Sequence, residues 1–513
     1  MSLQGRSVAV ERIALSCSPL SRMRLSVSIL DAAAGAGVFA AALTTYVLTA
    51  PRSIASSDSA ELTAAAASLG IPHPPGYPLY VLVGRLFAAV PAGDMGFRLN
   101  LMSGVFGALA ALAVYAIVLE LTRHRISAAV AALSLAFSYH FWGQSLVAEV
   151  YTLDAALLGG LIYALCVWER TRRPGALYAA FFLLGLALAH RTTSLFLVPP
   201  LIVWGLATGV YREPVPWLRA LAWMAPGLGL YLVLPILYVT NLGYIWNVGY
   251  DLSGDPTYVD LTTFEGLKWY VTAEVFRPLA FAFGPGDAAR EAVRFAGWLW
   301  GEFAGAGAIL GVVGAAIAYR RRRGFFYLTA GAFVLQAWFF INYRAVDKDQ
   351  MFLATYLIWA VWVGLGVRQL LDLVGEGHAP SLAKPAARVL ALALPVALFA
   401  LNFSSLQFPD AATVREDADQ LFAEVPAETL VIGSWSDIAV LEYFQTVEDR
   451  RPDIALIGQW SLTEGRLREL IRTNIGERPV YLLQDVPALR RDFRFVEAGS
   501  WYRLEPRTEQ GGS

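Results

Sequence analysis

Two carboxylates and an imidazole lie close together in one short stretch of the chain. Asp58 and Glu61 are three residues apart in the motif Asp58-Ser59-Ala60-Glu61-Leu62, and His73 follows within the segment 70–79. Side chains at this spacing share one face of a helix, so one carboxylate could act as a general base while the other positions a hydroxyl or a metal. The same spacing fits a capping box, with Asp58 as N-cap and Glu61 reaching back to its backbone. The spacing alone leaves both interpretations open.

The segment that carries His73 is stiffened by proline. Four of the seven residues from 72 to 78 are prolines, which restrict the backbone and remove hydrogen-bond donors. Rigid, non-helical backbone close to lipid must be buried in protein or line a cavity. The apolar run that follows, Leu79 to Val90, is short and contains Arg85, which predicts an interfacial or re-entrant helix.

Composition places these residues in a membrane protein. Of the 513 residues, 57% are hydrophobic and 16% are charged, and the mean hydropathy is +0.50. This balance exceeds what one water-soluble core can bury. The net charge of -1 provides no basic field for nucleic acid. The two cysteines, Cys17 and Cys166, lack metal-binding spacing, so we predict neither a disulfide framework nor a zinc site.

Long apolar runs predict an all-α polytopic membrane domain over 25–403, with about eleven transmembrane helices of roughly 20 residues each. The first run, Leu25 to Ala50, follows several arginines. We interpret it as an uncleaved anchor behind a cytoplasmic segment 1–24, in preference to a signal peptide. The other runs are 99–121, 126–145, 147–168, 176–190, 194–209, 221–241, 296–319, 325–342, 351–369 and 387–403.

The positive-inside rule provides an internal check on this topology. Counting through the runs places the strong basic clusters on the side of the N-terminus: 123–125, 169–173, 211–219, 320–323 and 368–388. The other side receives the segments 51–98, 242–295, 343–350 and 404–513. We therefore expect a multipass protein of the cell inner (plasma) membrane, with a cytoplasmic N-terminus and these four segments outside the cytoplasm.

The sequence becomes ordinary soluble sequence from about Asn402. Apolar runs alternate with helical patterns there, at 429–432, 454–457 and 480–483 and near 437–447 and 463–474. This alternation predicts a small α/β extracytoplasmic domain over 404–513. Its turn at 433–437 leads from a strand into a helix, where backbone N–H groups could hold an anion or a sugar. The alternative is an ordinary N-cap at Ser436 or Asp437.

Several motifs give the chain a family resemblance. They are Asp58 to Leu62, His73 to Leu79, Arg98-Leu99-Asn100, Ala148 to Leu153, Gly254-Asp255-Pro256, Phe264-Glu265-Gly266 with Trp269, and Phe340 to Tyr343 with Asp347. In these motifs the chain resembles a multipass family of bacterial membrane proteins, long catalogued as a domain of unknown function. Its eukaryotic relative is a transmembrane protein O-mannosyltransferase that acts on plexin-type domains. The matches run from about 55 to 360, and the first loop is the most specific part.

The resemblance implies the GT-C architecture, with a catalytic carboxylate in the first loop, 51–98, and a polyprenyl-phosphate sugar as donor. It implies an inverting glycosyltransferase that moves a mannose-like sugar to a protein, lipid or glycan acceptor outside the cytoplasm. Such a transfer needs a base for the acceptor and cationic or hydrogen-bonding groups for the leaving phosphate.

These requirements assign roles to particular residues. We predict Asp58 as the base and Glu61 as its helper, with the order open to reversal and a divalent metal on the pair left open. His73, Arg98 and the pair His190-Arg191 are candidates for the phosphate end, although the arginines and His190 also suit the ends of membrane helices. The full predicted substrate-binding set is His73, Tyr77, Arg98, Asn100, Glu149, Tyr151, His190, Arg191, Asp255, Trp269 and Asp347.

Two other functions stay open at this point. Charged residues within membrane helices also occur in transporters and flippases for lipid-linked glycans, although no half-to-half similarity is evident. A noncatalytic assembly factor with a partner-binding tail would leave the clustered Asp58, Glu61 and His73 without a task. The second loop, 242–295, suits sugar binding through its aromatic and charged residues, and equally suits amphipathic helices lying on the membrane.

Overall fold

The computed structural model describes residues 28–55, 57–212, 214–376, 383–406 and 410–507. The predicted cytoplasmic segment 1–24 and Cys17 lie outside these described residues. The helices before the C-terminal domain are, in chain order, Ile29–Thr49, Asp58–Ser68, Pro78–Ala88, Met95–Thr122, Arg125–Ala136, Tyr139–Gln144, Tyr151–Thr171, Pro174–His190, Val198–Thr208, Pro214–Ala222, Ala225–Leu228, Val233–Thr240, Phe264–Val271, Pro285–Glu302, Ala306–Arg321, Arg323–Ile341, Leu353–Glu376 and Ala383–Phe403. The second loop also contains a two-stranded ribbon, Gly249–Tyr250 with Pro256–Thr257.

The number of helices that could span a bilayer is smaller than the sequence predicts. In the described part of the chain, seven helices are long and apolar enough, or eight if one bent pair counts as a single span. Three predicted runs form shorter apolar helices, Arg125–Ala136, Pro174–His190 and Thr192–Thr208. The last two are separated because Arg191 has an extended backbone, with φ -140° and ψ 127°. The predicted short helix after the proline-rich segment is present as Pro78–Ala88.

The prediction of one continuous helix over 296–319 is wrong. Helices Pro285–Glu302 and Ala306–Arg321 meet at an angle of 102°. Ala304 and Gly305 between them have positive φ values of 50° and 65°, a backbone conformation that ends a helix. The run 221–241 lies mostly within Pro216–Thr240, which counts among the seven, and a 3₁₀ segment over Gly229–Leu232 joins the helices Ala225–Leu228 and Val233–Thr240.

Arginines of two basic clusters and the third loop lie at opposite ends of helix Leu353–Glu376. Its beginning lies beside the third loop, whose Asp347 and Asp349 line the main cavity described below. Toward its other end, Arg368 joins Arg321 and Arg322 around a cavity of about 210 Å³. The predicted separation of the basic clusters from the loops is therefore seen along this helix.

The C-terminal domain has the predicted α/β character. Its five-stranded sheet has the spatial order Ala455–Gly458, Leu430–Gly433, Val480–Leu482, Trp501–Pro506 and Phe493–Ala498. The first three strands are parallel, and the last two form an antiparallel hairpin that the sequence pattern did not predict. The helices are Asp410–Glu424, Trp435–Glu448 and Glu464–Asn474.

One apolar core joins the C-terminal domain to the loops. It includes Ala60 and Ile71 of the first loop, Trp246 of the second loop, and Ile438 and Phe444 of the C-terminal domain. Helix Asp58–Ser68 packs along helix Trp435–Glu448. The domain is therefore seated directly on the segment that carries the acidic motif.

Two membrane helices approach each other at glycines. A Cβ atom on Gly314 would lie 1.7 Å from the carbonyl oxygen of Trp362, and one on Gly366 would lie 2.1 Å from that of Leu310. Helices Ala306–Arg321 and Leu353–Glu376 can approach this closely because glycine has no side chain.

Replacing Gly314 with Ala is expected to destabilise the protein by about 3 kcal/mol, the upper part of the usual range for overpacking. Gly297→Ala is the matched control, because a Cβ there meets nothing within 4 Å and alanine is the better helix former. Thermal unfolding in detergent should show a lower midpoint for Gly314→Ala and an unchanged or higher one for Gly297→Ala. Equal midpoints would contradict the close approach.

Candidate active site

A cavity of about 1120 Å³, the main cavity, lies where the loops and the C-terminal domain meet. Every segment predicted to share one side of the membrane contributes to its wall. Contributing side chains include Asp58 and His73 of the first loop, Phe276 of the second, Asp347 of the third, and Trp435 and Trp460 of the C-terminal domain. Glu149, Tyr151 and Arg191, at the ends of membrane helices, complete this part of the wall.

Asp58 faces the main cavity from the first residue of helix Asp58–Ser68. Its Oδ1 accepts a hydrogen bond of 2.7 Å from the indole Nε1 of Trp435. The N-cap of the helix is Ser57, so the capping box predicted as an alternative, with Asp58 as N-cap, is not formed. The C-terminal domain thus supplies a donor to the candidate base.

Glu61 lies behind the cavity wall and holds His73. Its Oε1 accepts the backbone N–H of His73 at 2.7 Å, and its Oε2 lies 2.6 Å from His73 Nδ1. Glu61 is fully buried, whereas His73 lines the cavity with its Nε2 3.3 Å from the hydroxyl of Tyr77. Of the two carboxylates in the motif, Asp58 is the one on the cavity wall.

The second loop fixes the backbone around His73. Ile71 donates its N–H to the carbonyl oxygen of Tyr244 at 2.6 Å, and Trp246 donates to that of Ile71 at 2.9 Å. The hydroxyl of Tyr270 donates to the carbonyl oxygen of Pro72 at 2.7 Å. The proline-rich segment has few donors of its own, so these contacts define its position.

Two further carboxylates on the cavity wall interact with Asp58. Burial raises the pKa of Glu149 well above its usual value, and the charges of Asp58 and Asp347 raise it further. Burial and the charge of Asp58 also raise the pKa of Asp347. At a given pH, Glu149 and Asp347 are therefore protonated to a larger extent than isolated carboxyl groups are, and a protonated carboxyl group can donate a hydrogen bond.

Arg191 provides a buried cation on the same wall. Its Nη1 lies 3.1 Å from Oδ2 of Asp154, and Oδ1 of that carboxylate accepts a hydrogen bond from Ser194. The guanidinium also lies over the ring of Tyr151, 4.7 Å from its centroid. Arg277, the other arginine on the wall within the described residues, has a side chain that is 77% exposed.

Five residues of the predicted set lie away from the cavity wall. Arg98 donates to the carbonyl oxygens of Ala88 and Gly93, and Asn100 donates to those of Pro51 and Ser53. His190 is fully buried, with its Nε2 2.8 Å from the carbonyl oxygen of Val150.

The other two belong to the second loop. Asp255 donates its N–H to Asp251 within a turn. Trp269 packs against the core shared by the loops and the C-terminal domain. All five residues therefore support neighbouring backbone or core.

Asp154 and Trp435 were not predicted from the sequence. A charged residue within an apolar helix is itself a sign of a buried partner, so Asp154 carried a usable signal. Trp435 carried none beyond its place in the turn at 433–437. That turn is an N-cap formed by Ser434, whose side chain accepts from the N–H of Asp437, and not by Ser436 or Asp437 as the sequence suggested.

One group of side chains in the described part of the chain has the spacing of a metal site. Single ligand atoms of Asp58, Glu61 and His73 lie within 4.8 Å of one another. The same three side chains also bond to protein groups, since Glu61 accepts twice from His73 and Oδ1 of Asp58 accepts from Trp435. Two carboxylates and an imidazole are common ligands of divalent metals, so the group suits a cation as well as a hydrogen-bonded cluster.

The family model described as the Protein O-mannosyl-transferase TMEM260 N-terminal domain matches residues 58–213. The Protein O-mannosyl-transferase TMEM260 of Mus musculus is 33% identical over 232 residues, 43% of this chain and 33% of the mouse protein. This chain is related to TMEM260. The protein of the same name in Dictyostelium discoideum is 20% identical over 90% of this chain and 65% of its own length. This chain thus spans less than two thirds of either relative.

The TMEM260-like region contains most of the candidate site. Residues 58–213 include Asp58, Glu61, His73, Glu149 and Arg191. Asp347 and Trp435 lie beyond residues 58–213, so the third loop and the C-terminal domain complete the cavity from outside the part that the family model matches.

Solved structures identify the fold as GT-C. ArnT from Cupriavidus metallidurans bound to undecaprenyl phosphate superposes with a TM-score of 0.52 at 12% identity, over 93% of this chain and 99% of ArnT. The Archaeoglobus fulgidus oligosaccharyltransferase in the apo form gives 0.50 at 13% identity, over 87% of this chain and 69% of that protein. The predicted fold class, a polytopic GT-C membrane protein with a small α/β domain, is confirmed.

In the transfer assay proposed below, Trp435→Phe should be about 10-fold slower than the wild type at saturating donor, because the change removes one hydrogen bond to a charged group. Trp460→Phe is the control, since Trp460 is also on the cavity wall but the bond to Asp58 comes from Trp435. Initial rates with the purified protein measure the difference. Equal rates for the two variants would show that the hydrogen bond does not matter for turnover.

The Glu61–His73 pair predicts a loss of stability at alkaline pH. Burial lowers the pKa of His73, but the nearby Glu61 carboxylate more than offsets this and raises it from 6.5 to about 9. A histidine whose pKa is higher in the folded protein than in the unfolded protein stabilises the fold at pH values below its unfolded pKa. This stabilisation is lost as the pH rises through the folded pKa. The midpoint temperature of thermal unfolding should therefore decrease as the pH is raised from about 6.5 to about 9.

Glu61→Gln removes the charge that raises the pKa of His73. Its midpoint should be lower than that of the wild type at pH 6 and should change less between pH 6.5 and pH 9. Parallel curves for the two proteins would show that the pair does not contribute.

Proposed function

We propose that this chain is a GT-C glycosyltransferase that transfers a sugar from a polyprenyl-phosphate carrier to an acceptor outside the cytoplasm. The observation that supports this proposal most directly is that Asp58 and Arg191 lie on the wall of one cavity. The Asp58 carboxylate is fixed by a hydrogen bond from Trp435, and the largely buried Arg191 guanidinium is fixed by its ion pair with Asp154. A base for the acceptor and a cation for the leaving phosphate are the two groups that this reaction needs.

Each group has one task in the proposed reaction. Asp58 takes the proton of the acceptor hydroxyl while that oxygen attacks C1 of the sugar. The bond from the acceptor oxygen to C1 forms, and the bond from C1 to the phosphate oxygen breaks with its electron pair leaving on the phosphate. Arg191 stabilises the charge that grows there. Attack on the face opposite the phosphate inverts the configuration at C1.

Related proteins support the donor and the sugar class. The two relatives are named protein O-mannosyl-transferases, and ArnT, which shares the fold, was solved bound to undecaprenyl phosphate. We propose a mannose-like sugar and a protein, lipid or glycan acceptor. We propose that the enzyme lies in the inner (plasma) membrane with the main cavity on the extracytoplasmic side, and the seven or eight apolar helices of the described residues support a multipass membrane protein.

A donor screen tests the proposal. Purified protein in detergent is incubated with a panel of polyprenyl-phosphate sugars and with peptide, lipid and glycan acceptors, and products are detected by mass spectrometry. We expect a covalent product with one donor class and release of polyprenyl phosphate in equal amount. Movement of lipid-linked sugar across sealed vesicles with no covalent product would support a flippase instead. Rates before and after chelation test whether a divalent cation takes part.

A further inference from the structure

A second group of polar side chains lines the main cavity, and the reaction above gives it no task. Tyr139 and Gln144 belong to the short helix Tyr139–Gln144, while Asp349 and Gln350 precede helix Leu353–Glu376. None of the four was predicted from the sequence as a site residue. Their contacts show which chemistry this part of the cavity can bind.

Asp349 is held in place by a chain of buried polar groups. Nε2 of His140 lies 3.3 Å from Oδ2 of Asp349, and Nδ1 of the same ring lies 2.8 Å from Oε2 of Glu302. Glu302 is 1% exposed and is fixed in turn by the hydroxyl of Ser138 at 2.6 Å. Because each ring nitrogen faces a carboxylate oxygen, His140 donates in both directions. The Asp349 side chain remains 34% exposed and faces the cavity.

Gln144 supplies a second acceptor beside Asp349. Its residue is 8% exposed, and its Nε2 donates to Oε1 of Gln350 at 2.7 Å. Its own Oε1 is buried without a hydrogen-bond partner among the described residues, although Gln144 lines the cavity. A buried polar atom without a partner is costly, so this oxygen indicates a place where a ligand donates a hydrogen bond.

These groups together match a sugar ring. The Asp349 carboxylate and the Gln144 carbonyl accept hydrogen bonds, which hydroxyls donate, and the 44% exposed ring of Tyr139 provides an apolar surface for the C–H face of a ring. A fully ionised phosphate has only hydrogen-bond acceptors, so its negatively charged oxygens are repelled by the oxygens of Asp349 and Gln144. It is matched instead by Arg191. The cavity is therefore divided into a part for phosphate and a part for hydroxyls.

We propose that Asp349, Gln144 and Tyr139 form a sugar subsite, with His140 and Glu302 as positioning residues for Asp349. The proposal rests on the proposed function, because it assigns part of the same cavity to a sugar. The bound ring belongs either to the donor or to a glycan acceptor, and binding measurements distinguish these two sources.

The donor arm compares two lipids that differ only in the sugar. Dissociation constants of the full-length protein are measured for undecaprenyl phosphate and for undecaprenyl-phosphate mannose. The wild type should bind undecaprenyl-phosphate mannose more tightly than undecaprenyl phosphate. Asp349→Asn and Gln144→Leu should each bind the mannose-bearing lipid about 10- to 100-fold more weakly than the wild type does, the range for hydrogen bonds to charged or buried groups. Their affinity for undecaprenyl phosphate should stay unchanged. Asp287→Asn, at an exposed carboxylate away from the cavity, is the control.

The acceptor arm measures binding of a mannose oligosaccharide to the same variants. Loss of affinity in this arm with no change in the donor arm assigns the subsite to the acceptor, and the reverse assigns it to the donor. Wild-type affinity for both sugar probes in Asp349→Asn and Gln144→Leu overturns the proposal.

Thermal unfolding identifies any variant that fails to fold. Gln144→Leu is the safer of the two, because it replaces an incompletely bonded polar group with an apolar one of similar size. These are binding experiments and need no turnover. A wild type that binds the sugar but transfers it from no donor would disprove the proposed function and leave the subsite standing.

Discussion

Asp58→Asn is expected to bind the polyprenyl-phosphate donor as the wild type does and to transfer its sugar about 10²- to 10⁴-fold more slowly, the usual contribution of a general base. The amide has nearly the shape of the carboxylate, and its oxygen can still accept the indole N–H of Trp435, which is 2.7 Å from Oδ1 in the wild type. It cannot take a proton from an acceptor hydroxyl at neutral pH. The substitution therefore removes the proton acceptor and keeps the hydrogen bond from Trp435.

Single-turnover rates with saturating donor, together with donor dissociation constants, separate these two quantities. Glu265→Gln is a suitable control because Glu265 is an exposed carboxyl group of the second loop. A wild-type rate for Asp58→Asn would remove Asp58 from the base role. Glu149 and Asp347 would then be the next carboxylates to test on the same wall.

Arg191→Gln should lower kcat/KM about 10²- to 10³-fold, the effect of removing one preorganised donor from a developing negative charge. It should also destabilise the fold by about 3–5 kcal/mol. The second effect follows because Arg191 and Asp154 are each 11% exposed and form an ion pair at 3.1 Å. Removing the arginine leaves the Asp154 carboxylate buried without its charged partner.

A double variant separates the two effects of this substitution. The double variant Arg191→Gln with Asp154→Asn has neither the guanidinium nor the carboxylate charge. Its thermal midpoint should therefore recover toward that of the wild type, while its transfer rate stays low. Arg277→Gln is the matched control, since Arg277 also lines the cavity but is 77% exposed and pairs with Glu274. If transfer recovers together with stability in the double variant, Arg191 acts only on the fold.

The first-loop motif joins residues that are close along the chain, whereas the other predicted residues on the cavity wall, among them Glu149, Arg191 and Asp347, come from distant segments. Asp58 and Glu61 share one turn of helix, and His73 is twelve residues from Glu61. A motif of this length can be recognised without knowing the fold. Even so, the spacing could not decide between a capping box and a carboxylate pair with a general base, because both place Asp58 and Glu61 on one face of a helix.

Two residues of the predicted substrate-binding set donate hydrogen bonds to neighbouring backbone. Arg98 and Asn100 both donate to carbonyl oxygens of the first loop. A loop with several prolines has few hydrogen bonds of its own, and its buried carbonyl groups must find donors elsewhere. The sequence shows the donors but not which carbonyl groups need them.

The bend at 303–305 escaped prediction for a different reason. The residues around it are apolar and continue the pattern of a membrane helix, so hydropathy alone shows no interruption. Beside the bend, the carboxylate of Glu302 accepts from Ser138 and from His140 of helix Tyr139–Gln144. Contacts of this kind, like that between Asp58 and Trp435, depend on tertiary structure and leave no periodic signal.

The hydrogen bond between Asp58 and Trp435 joins residues that are 377 positions apart, and this has a consequence for how the protein is made. Trp435 is synthesised long after Asp58, so Asp58 lacks this donor until the C-terminal domain has been made and has packed on helix Asp58–Ser68. A product truncated before Trp435 would therefore carry the acidic motif without the hydrogen bond that holds Asp58.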